Sequence, residues 1–400
     1  MKILVVTREH EVERRYGLGR SVLPVLTALE SRGLPVTYLC QADLGPRARL
    51  WMARINAWMA RLARGRRGAT DLAGLVGALV ERFNMGRVAS RLARRDGFTH
   101  VHCHDPLIAR GFLFFAGLRP FHRFRGAWGV SQHGYGCYAQ SIHEDGAPLG
   151  TRAMRWMRRM ETGVLLKADW VVCPTRASLR QMARDLGVHP VPDTWRAIHH
   201  ARPAVSLHDR GEARRRLGWD PDTYYIVGVG RLAPVKNFPL LIDACARLKG
   251  ERATQLVILG DGHRQPLLDH ARRAGLRPDP VFDVTDDVGP YLAAADLYVS
   301  ASRSESFGLA ALEAMLAGTP VVCTAVGGVP EVVGGAGRLV AADDADVLAV
   351  AIASLMSNPD AAGELAAAGR RRATEWPDAE ACSRRYEEIY REAGSRRTPG

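Results

Sequence analysis

The 400-residue sequence contains no Cys-x-x-Cys pair, no apolar run of membrane-spanning length and no complete Gly-x-Gly-x-x-Gly string. Each absence excludes something. The seven cysteines (Cys40, Cys103, Cys137, Cys173, Cys245, Cys323 and Cys382) are odd in number and scattered, so they spell neither a disulfide framework nor a zinc ribbon. Several sit in apolar runs such as Val171-Val172-Cys173, where a free thiol packs as a small core residue. The apolar stretch at Ile3 to Val6 is too short for a signal peptide, so the expected location is cytoplasmic, either free or peripheral at the inner face of the membrane. The incomplete glycine string argues against a nicotinamide dehydrogenase. Lysine occurs only four times, so the net charge of +13 is almost wholly arginine, in a chain also rich in Ala and Gly. That pattern reads as compositional bias. With no recognisable RNA- or DNA-binding motif beside it, no nucleic-acid partner is expected.

What the sequence does have is short apolar runs alternating with helical stretches, the signature of parallel sheets covered on both faces. In the first half, strands are expected at 2–7, 35–40, 99–102, 126–131 and 170–173. The pattern restarts with strands at 224–230, 255–259, 280–282, 297–300, 320–323 and 338–340. Between the halves, Val188 to Asp209 is rich in Pro and His and lacks periodicity, so it reads as the linker. The expected fold is therefore α/β. Residues 1–195 and 205–378 form two doubly wound Rossmann-like domains facing an interdomain cleft, and residues 379–400 form a C-terminal helix packing back on the first.

Two strings carry candidate chemistry. In the run Ser304 to Met315, Glu305 and Glu313 stand eight positions apart directly after a strand. With a helix from Phe307, the N-H groups of Phe307, Gly308 and Leu309 would be donors at its start, suited to a diphosphate or sugar hydroxyls. The same spacing also describes a capping Glu and a solvated Glu on an ordinary helix. In Gly228-Val229-Gly230-Arg231-Leu232-Ala233-Pro234-Val235-Lys236-Asn237 a strand ends in Gly and two cations follow. Arg231 can fork onto phosphate oxygens while Lys236 supplies a point charge, although both would also suit an exposed turn. Earlier in the chain, Gly17-Leu18-Gly19-Arg20 follows the first strand, His102 and His104 flank Cys103 at a strand end, and His133 stands in Ser131-Gln132-His133-Gly134.

Together these strings resemble the family 4 retaining glycosyltransferases, which have two Rossmann-like domains in the arrangement called GT-B. Leu259-Gly260-Asp261-Gly262, the Ala-Ala-Asp ending at Asp296, Gly318-Thr319-Pro320 and Gly327-Gly328-Val329-Pro330-Glu331 agree in order, so the resemblance spans nearly the whole chain. It implies that Glu305 binds donor-sugar hydroxyls, Glu313 the ribose, and Arg231 with Lys236 the donor diphosphate. It implies also that Gly17 and Gly19 belong to a glycine loop near the donor phosphates or the acceptor, that His133 contacts the donor sugar, and that His102 and His104 lie on the acceptor side. The expected reaction moves a hexosyl-type sugar from a nucleotide-diphosphate sugar to a hydroxyl of a glycan, glycolipid or small molecule. No cofactor and no divalent metal are expected. Of the two Asp-x-Asp strings, Asp220-Pro221-Asp222 precedes its strand and Asp344-Ala345-Asp346 reads as a helix start. A nucleotide-sugar epimerase, a glycan phosphorylase or a non-catalytic donor-binding protein are the alternatives.

The chain departs from the family at Ile198-His199-His200, where an Asn-Gly turn is common, and at Asp283, where a Gly is usual near the nucleotide base. From Arg47 to Arg64, Trp51, Ile55, Trp58, Met59 and Leu62 recur at helical spacing, predicting an amphipathic helix. Its apolar stripe suits either a core or an anionic membrane. The core is the leading reading, and the twelve Arg that residues 47–95 hold against Asp71 and Glu81 add weight to the membrane.

Overall fold

The computed structural model describes residues 1–9, 17–63, 69–117, 124–144, 150–248 and 253–397. The chain divides into two units. The first comprises Met1–His143, Ala147–Ala201 and Ala379–Gly400, and the second Glu144–Gly146 and Arg202–Asp378.

The first unit holds the strands β1 (Ile3–Val6), β2 (Val36–Leu39), β3 (His100–Cys103), β4 (Ala127–Ser131), β5 (Trp170–Cys173) and β6 (Trp195–Ala197). They form one sheet in the order β2-β1-β3-β4-β5-β6, parallel throughout. Alternation along β1 shows why a continuous apolar run is needed. Ile3 and Val5 face the helices Gly17–Ser31 and Ala379–Arg397, whereas Leu4 and Val6 face the opposite layer, and all four are fully buried. Each contributes about 1.5–3 kcal/mol by leaving water.

The second unit repeats the plan with β7 (Tyr224–Val229), β8 (Thr254–Leu259), β9 (Val281–Asp283), β10 (Leu297–Ser300), β11 (Val321–Thr324) and β12 (Arg338–Val340). Its parallel order is β12-β11-β10-β7-β8-β9. Tyr224 and Ile226 face one core layer, Tyr225 and Val227 the other. At the start of β7, Asp296 accepts hydrogen bonds from Tyr225 N at 2.8 Å and from Arg214 Nη2 at 2.6 Å, and pairs with Arg210. This buried carboxylate ties β7 to the segment entering β10.

Eleven of these strands stand where the apolar runs place them; β6 does not. It lies inside the stretch read as linker, so the first unit runs on to Ala201 rather than ending at 195. Trp-Arg-Ala is three residues long and pairs only with β5, too little for any period to show. All seven cysteines are buried and none forms a disulfide. Asp344 caps the helix Ala345–Met356 through the N-H groups of Asp346 and Val347, and Asp220 closes a turn onto Asp222 N.

The helix Pro46–Ala63 is present, although Arg64 lies outside the described residues. Ala48 and Met52 pack on the core, whereas Leu50 and Trp58 are exposed at 53% and 59%. No helix among the described residues is long and apolar enough to cross a membrane.

Candidate functional site

In a doubly wound sheet, ligands bind at the carboxyl ends of the strands where the strand order reverses. In the second unit that point lies between β7 and β10. Both sequence strings arrive there, one after each strand.

After β7, Gly230 leaves room for the stem of Lys236. A Cβ on Gly230 would stand 3.1–3.3 Å from three of the Lys236 methylene carbons, so the side chain lies across the strand end. Its Nζ reaches Glu305 Oε2 at 2.5 Å, with the two side chains 25% and 18% exposed. Arg231 is exposed at the same strand end. Backbone bonds weld the neighbouring loops: Arg303 N donates to Val235 O at 2.9 Å, Gly328 N to Glu305 O at 2.8 Å, and Leu232 N to Asp261 O at 2.8 Å. The ends of β7, β8, β10 and β11 are thus fixed to one another. Gly260 is indispensable to this closeness, since a Cβ there would stand 1.9 Å from Gly230 O.

The helix carrying Glu313 starts at Leu309, not at Phe307. Gly308 precedes it at φ +96°, a left-handed conformation that favours glycine, and the chain cannot be helical through that residue. Phe307 therefore serves differently from the expectation: its ring is buried edge-on against Trp376, at 5.6 Å between centroids. Glu313 lies little more than one turn into the helix and is 2% exposed. The N-H groups at the helix start are those of Leu309 and Ala310, because Ala311 N already donates to Gly308 O.

In the first unit the order reverses between β1 and β3. Gly17 and Gly19 do not form a loop, as they open the helix Gly17–Ser31, where Gly19 is buried. The histidines gather at the ends of β3 and β4. His104 Nδ1 bonds His133 Nε2 at 2.8 Å, with the rings stacked at 11°, and His200 stacks on the far side of His133 at 7°. His104 Nε2 and His133 Nδ1 are buried without a hydrogen-bond partner. A cavity of about 20 Å³, lined by these histidines and Tyr386, adjoins them and has room for about one water.

Burial holds all these rings neutral. The His104 imidazole is pushed down to about 3 and that of His200 to about 4, with neighbouring imidazoles adding repulsion, and His133 is lowered well below its ordinary value by the same causes. His102 departs from expectation. It is 1% exposed, with Nδ1 bonded to Tyr390 Oη and Nε2 to Ser131 Oγ, both at 2.8 Å, so both ring nitrogens are spent inside the unit. That His200 joins this column is not legible in the sequence, because His200 lies 67 positions from His133. Nor does the sequence show that Asn237 and Arg303 both hold Asp343 Oδ1 beside the Lys236 loop, at 3.0 and 2.7 Å. Among the described residues no cluster of three or more His, Cys, Asp or Glu side chains is placed to hold a metal ion.

Residues 209–372 match the family model described as Glycosyl transferases group 1, and residues 16–201 match Glycosyltransferase Family 4. Among curated proteins, the D-inositol 3-phosphate glycosyltransferase of Actinosynnema mirum is 40% identical over 240 residues, covering 54% of this chain and 56% of that protein. Its counterpart in Thermobispora bispora is 31% identical over 258 residues, 58% of each chain. The chain spans about half the length of the curated relatives it matches. Among solved structures, sucrose-phosphate synthase from Thermosynechococcus elongatus superposes with a TM-score of 0.76 at 20% identity, over 99% of this chain and all of that one. Anabaena HepE in complex with UDP and glucose gives 0.67 at 18%, over 97% and 98%. Two consecutive family matches, two six-stranded parallel sheets and the strings at the second switch point lead to one conclusion: the chain belongs to the family 4 glycosyltransferases and has their GT-B fold.

Proposed function

We propose that this protein is a retaining glycosyltransferase that moves a hexosyl-type sugar from a nucleotide-diphosphate sugar to an acceptor hydroxyl. The observation that carries the reading is the Lys236–Glu305 pair at the β7/β10 switch point, with Arg231 exposed beside it. An ammonium and a carboxylate in contact are what a glycosyl diphosphate can separate. The diphosphate takes the ammonium, and the sugar hydroxyls donate to the carboxylate. As the C1–O bond breaks, negative charge grows on the departing phosphate beside Arg231, Lys236 and the N-H groups of Leu309 and Ala310. Fixed positive groups aimed at that charge lower the barrier. The phosphate oxygen then takes the acceptor's proton on the face it leaves, which gives retention with no enzyme nucleophile. His133 keeps the sugar-contacting role that the family resemblance implies.

Metal independence belongs to the same proposal, because the two cations supply the charge a divalent ion would bring. Transfer should persist in excess chelator, and a loss restored by Mn2+ would contradict this. The carboxylates should be separable by calorimetry. Glu305→Ala should weaken nucleotide-sugar binding by about tenfold more than nucleoside-diphosphate binding, whereas Glu313→Ala should weaken both alike if it holds the ribose. Equal losses for every ligand in both variants would mean that the assignment is wrong. UDP-glucose is the first donor to assay, because an Anabaena protein of the same fold is captured with it, and inositol 3-phosphate is the first acceptor, from the names of the relatives. Peripheral contact with an anionic membrane is part of the proposal too, supported by the exposed Leu50 and Trp58. Sedimentation with anionic vesicles that survives Trp58→Ser unchanged would remove that helix from it.

A further inference from the structure

The helix Thr151–Leu165 of the first unit carries Arg155, Arg158 and Arg159 at three- and four-residue spacing, which sets their guanidiniums on neighbouring positions of one face. With Thr151, Thr162 and Leu186 they line a cavity of about 610 Å³. Like charges so spaced destabilise a helix unless something offsets them. Among the described residues, no carboxylate stands within ion-pair distance of any of the three. Glu161 on the same helix and Asp185 beside Leu186 are engaged elsewhere: Glu161 accepts from Tyr138 N and Gln132 Nε2, and Asp185 from Cys137 N and Gln181 Nε2. Arg158 Nε, moreover, is buried with no hydrogen-bond partner. A cavity lined by three arginines that have no ion pair among the described residues suits an anion.

We propose that this cavity binds a phosphate group carried on a larger polar molecule. Guanidinium forks match phosphate oxygens in pairs, and Arg155, Arg158 and Arg159 line the cavity with three guanidinium groups. The volume exceeds that of a bare phosphate and falls in the range of metabolite-sized ligands. The group can arrive on a soluble phosphate ester or on an anionic lipid headgroup. Both present the same oxygens. The site is separate from the Lys236–Glu305 pair and does not depend on the transfer reaction.

The test is calorimetric titration with inorganic phosphate of wild-type protein and of the Arg158→Gln, Arg158→Lys, Arg155→Gln and Lys236→Ala variants. Saturable binding is expected in the wild type. Arg158→Gln should weaken it by about tenfold or more, Arg158→Lys by less because charge persists without the fork, and Lys236→Ala should leave it in place. Arg155 is exposed, so its variant keeps the test valid if Arg158→Gln misfolds. Phosphate bound equally by wild type, Arg158→Gln and Arg155→Gln would overturn the proposal, as would binding lost only in Lys236→Ala. Sedimentation with vesicles of phosphatidylcholine containing 30% phosphatidylglycerol then separates the sources. Sedimentation lost in Arg158→Gln assigns the lipid headgroup, and phosphate binding without sedimentation assigns the soluble ester.

Discussion

Replacing Lys236 by Ala is expected to slow sugar transfer by about a hundredfold to a thousandfold, the range found when one group aimed at a developing oxyanion is removed. Two effects act in the same direction. The departing diphosphate loses a cation, and Glu305, left without its partner at 2.5 Å, becomes an unbalanced negative charge facing the phosphates. Arg231→Ala also removes a cation aimed at the departing diphosphate, so it too should slow transfer by about a hundredfold or more. Stability should change little in either variant. The Lys236–Glu305 pair is partly exposed, and pairs of that kind are worth about 0–1 kcal/mol. Steady-state rates together with urea unfolding check both halves. A Lys236→Ala protein that turns over normally would remove the diphosphate assignment.

Asp296→Ala should behave in the opposite way, with a large loss of stability and little change in the activity of molecules that remain folded. Asp296 is 8% exposed and neutralises Arg214, which is itself 7% exposed and reaches the carbonyls of Ala294 and Pro221. Removing one partner leaves a buried guanidinium without its counter-charge and Tyr225 N without its acceptor, at a cost of about 3–5 kcal/mol. The urea midpoint should fall accordingly. Replacing Asp296 and Arg214 together by apolar residues of similar volume should cost much less, because no charge is then stranded. A single variant as stable as wild type would mean that the tie between β7 and the β10 entry contributes nothing.

How much of this was legible follows from what each feature depends on. Strands buried on both faces must be apolar throughout, so β1, β5, β7 and β10 announce themselves, and motif order along the chain then identifies the family. The strand β6 depends on pairing with β5, a long-range fact that three residues do not encode. Helix starts were legible where a cap is written in the side chain, as at Asp344. The start expected at Phe307 lies at Leu309 instead, because the decisive feature is the positive φ of Gly308, and glycine spacing does not say which glycine turns. The histidine column was the least legible. His102, His104, His133 and His200 come from three separated segments, and only the packed structure shows that His102 is consumed by Ser131 and Tyr390 whereas His104 and His133 keep one buried nitrogen each without a partner. The ion pair between Lys236 and Glu305 has the same character. The sequence offered two cations and two carboxylates, and the β7/β10 adjacency decided which of them meet.

The most direct test of the central claim is acceptor-dependent release of nucleoside diphosphate. Wild type and Lys236→Ala would each be incubated with UDP-glucose and a panel of other nucleotide-sugars, with and without a set of acceptors headed by inositol 3-phosphate, and product and diphosphate measured together. The account predicts that wild type releases diphosphate in step with glycosylated product only when acceptor is present, and that Lys236→Ala does so about a hundredfold more slowly. Release at the same rate without acceptor, or transfer undiminished in Lys236→Ala, would contradict it.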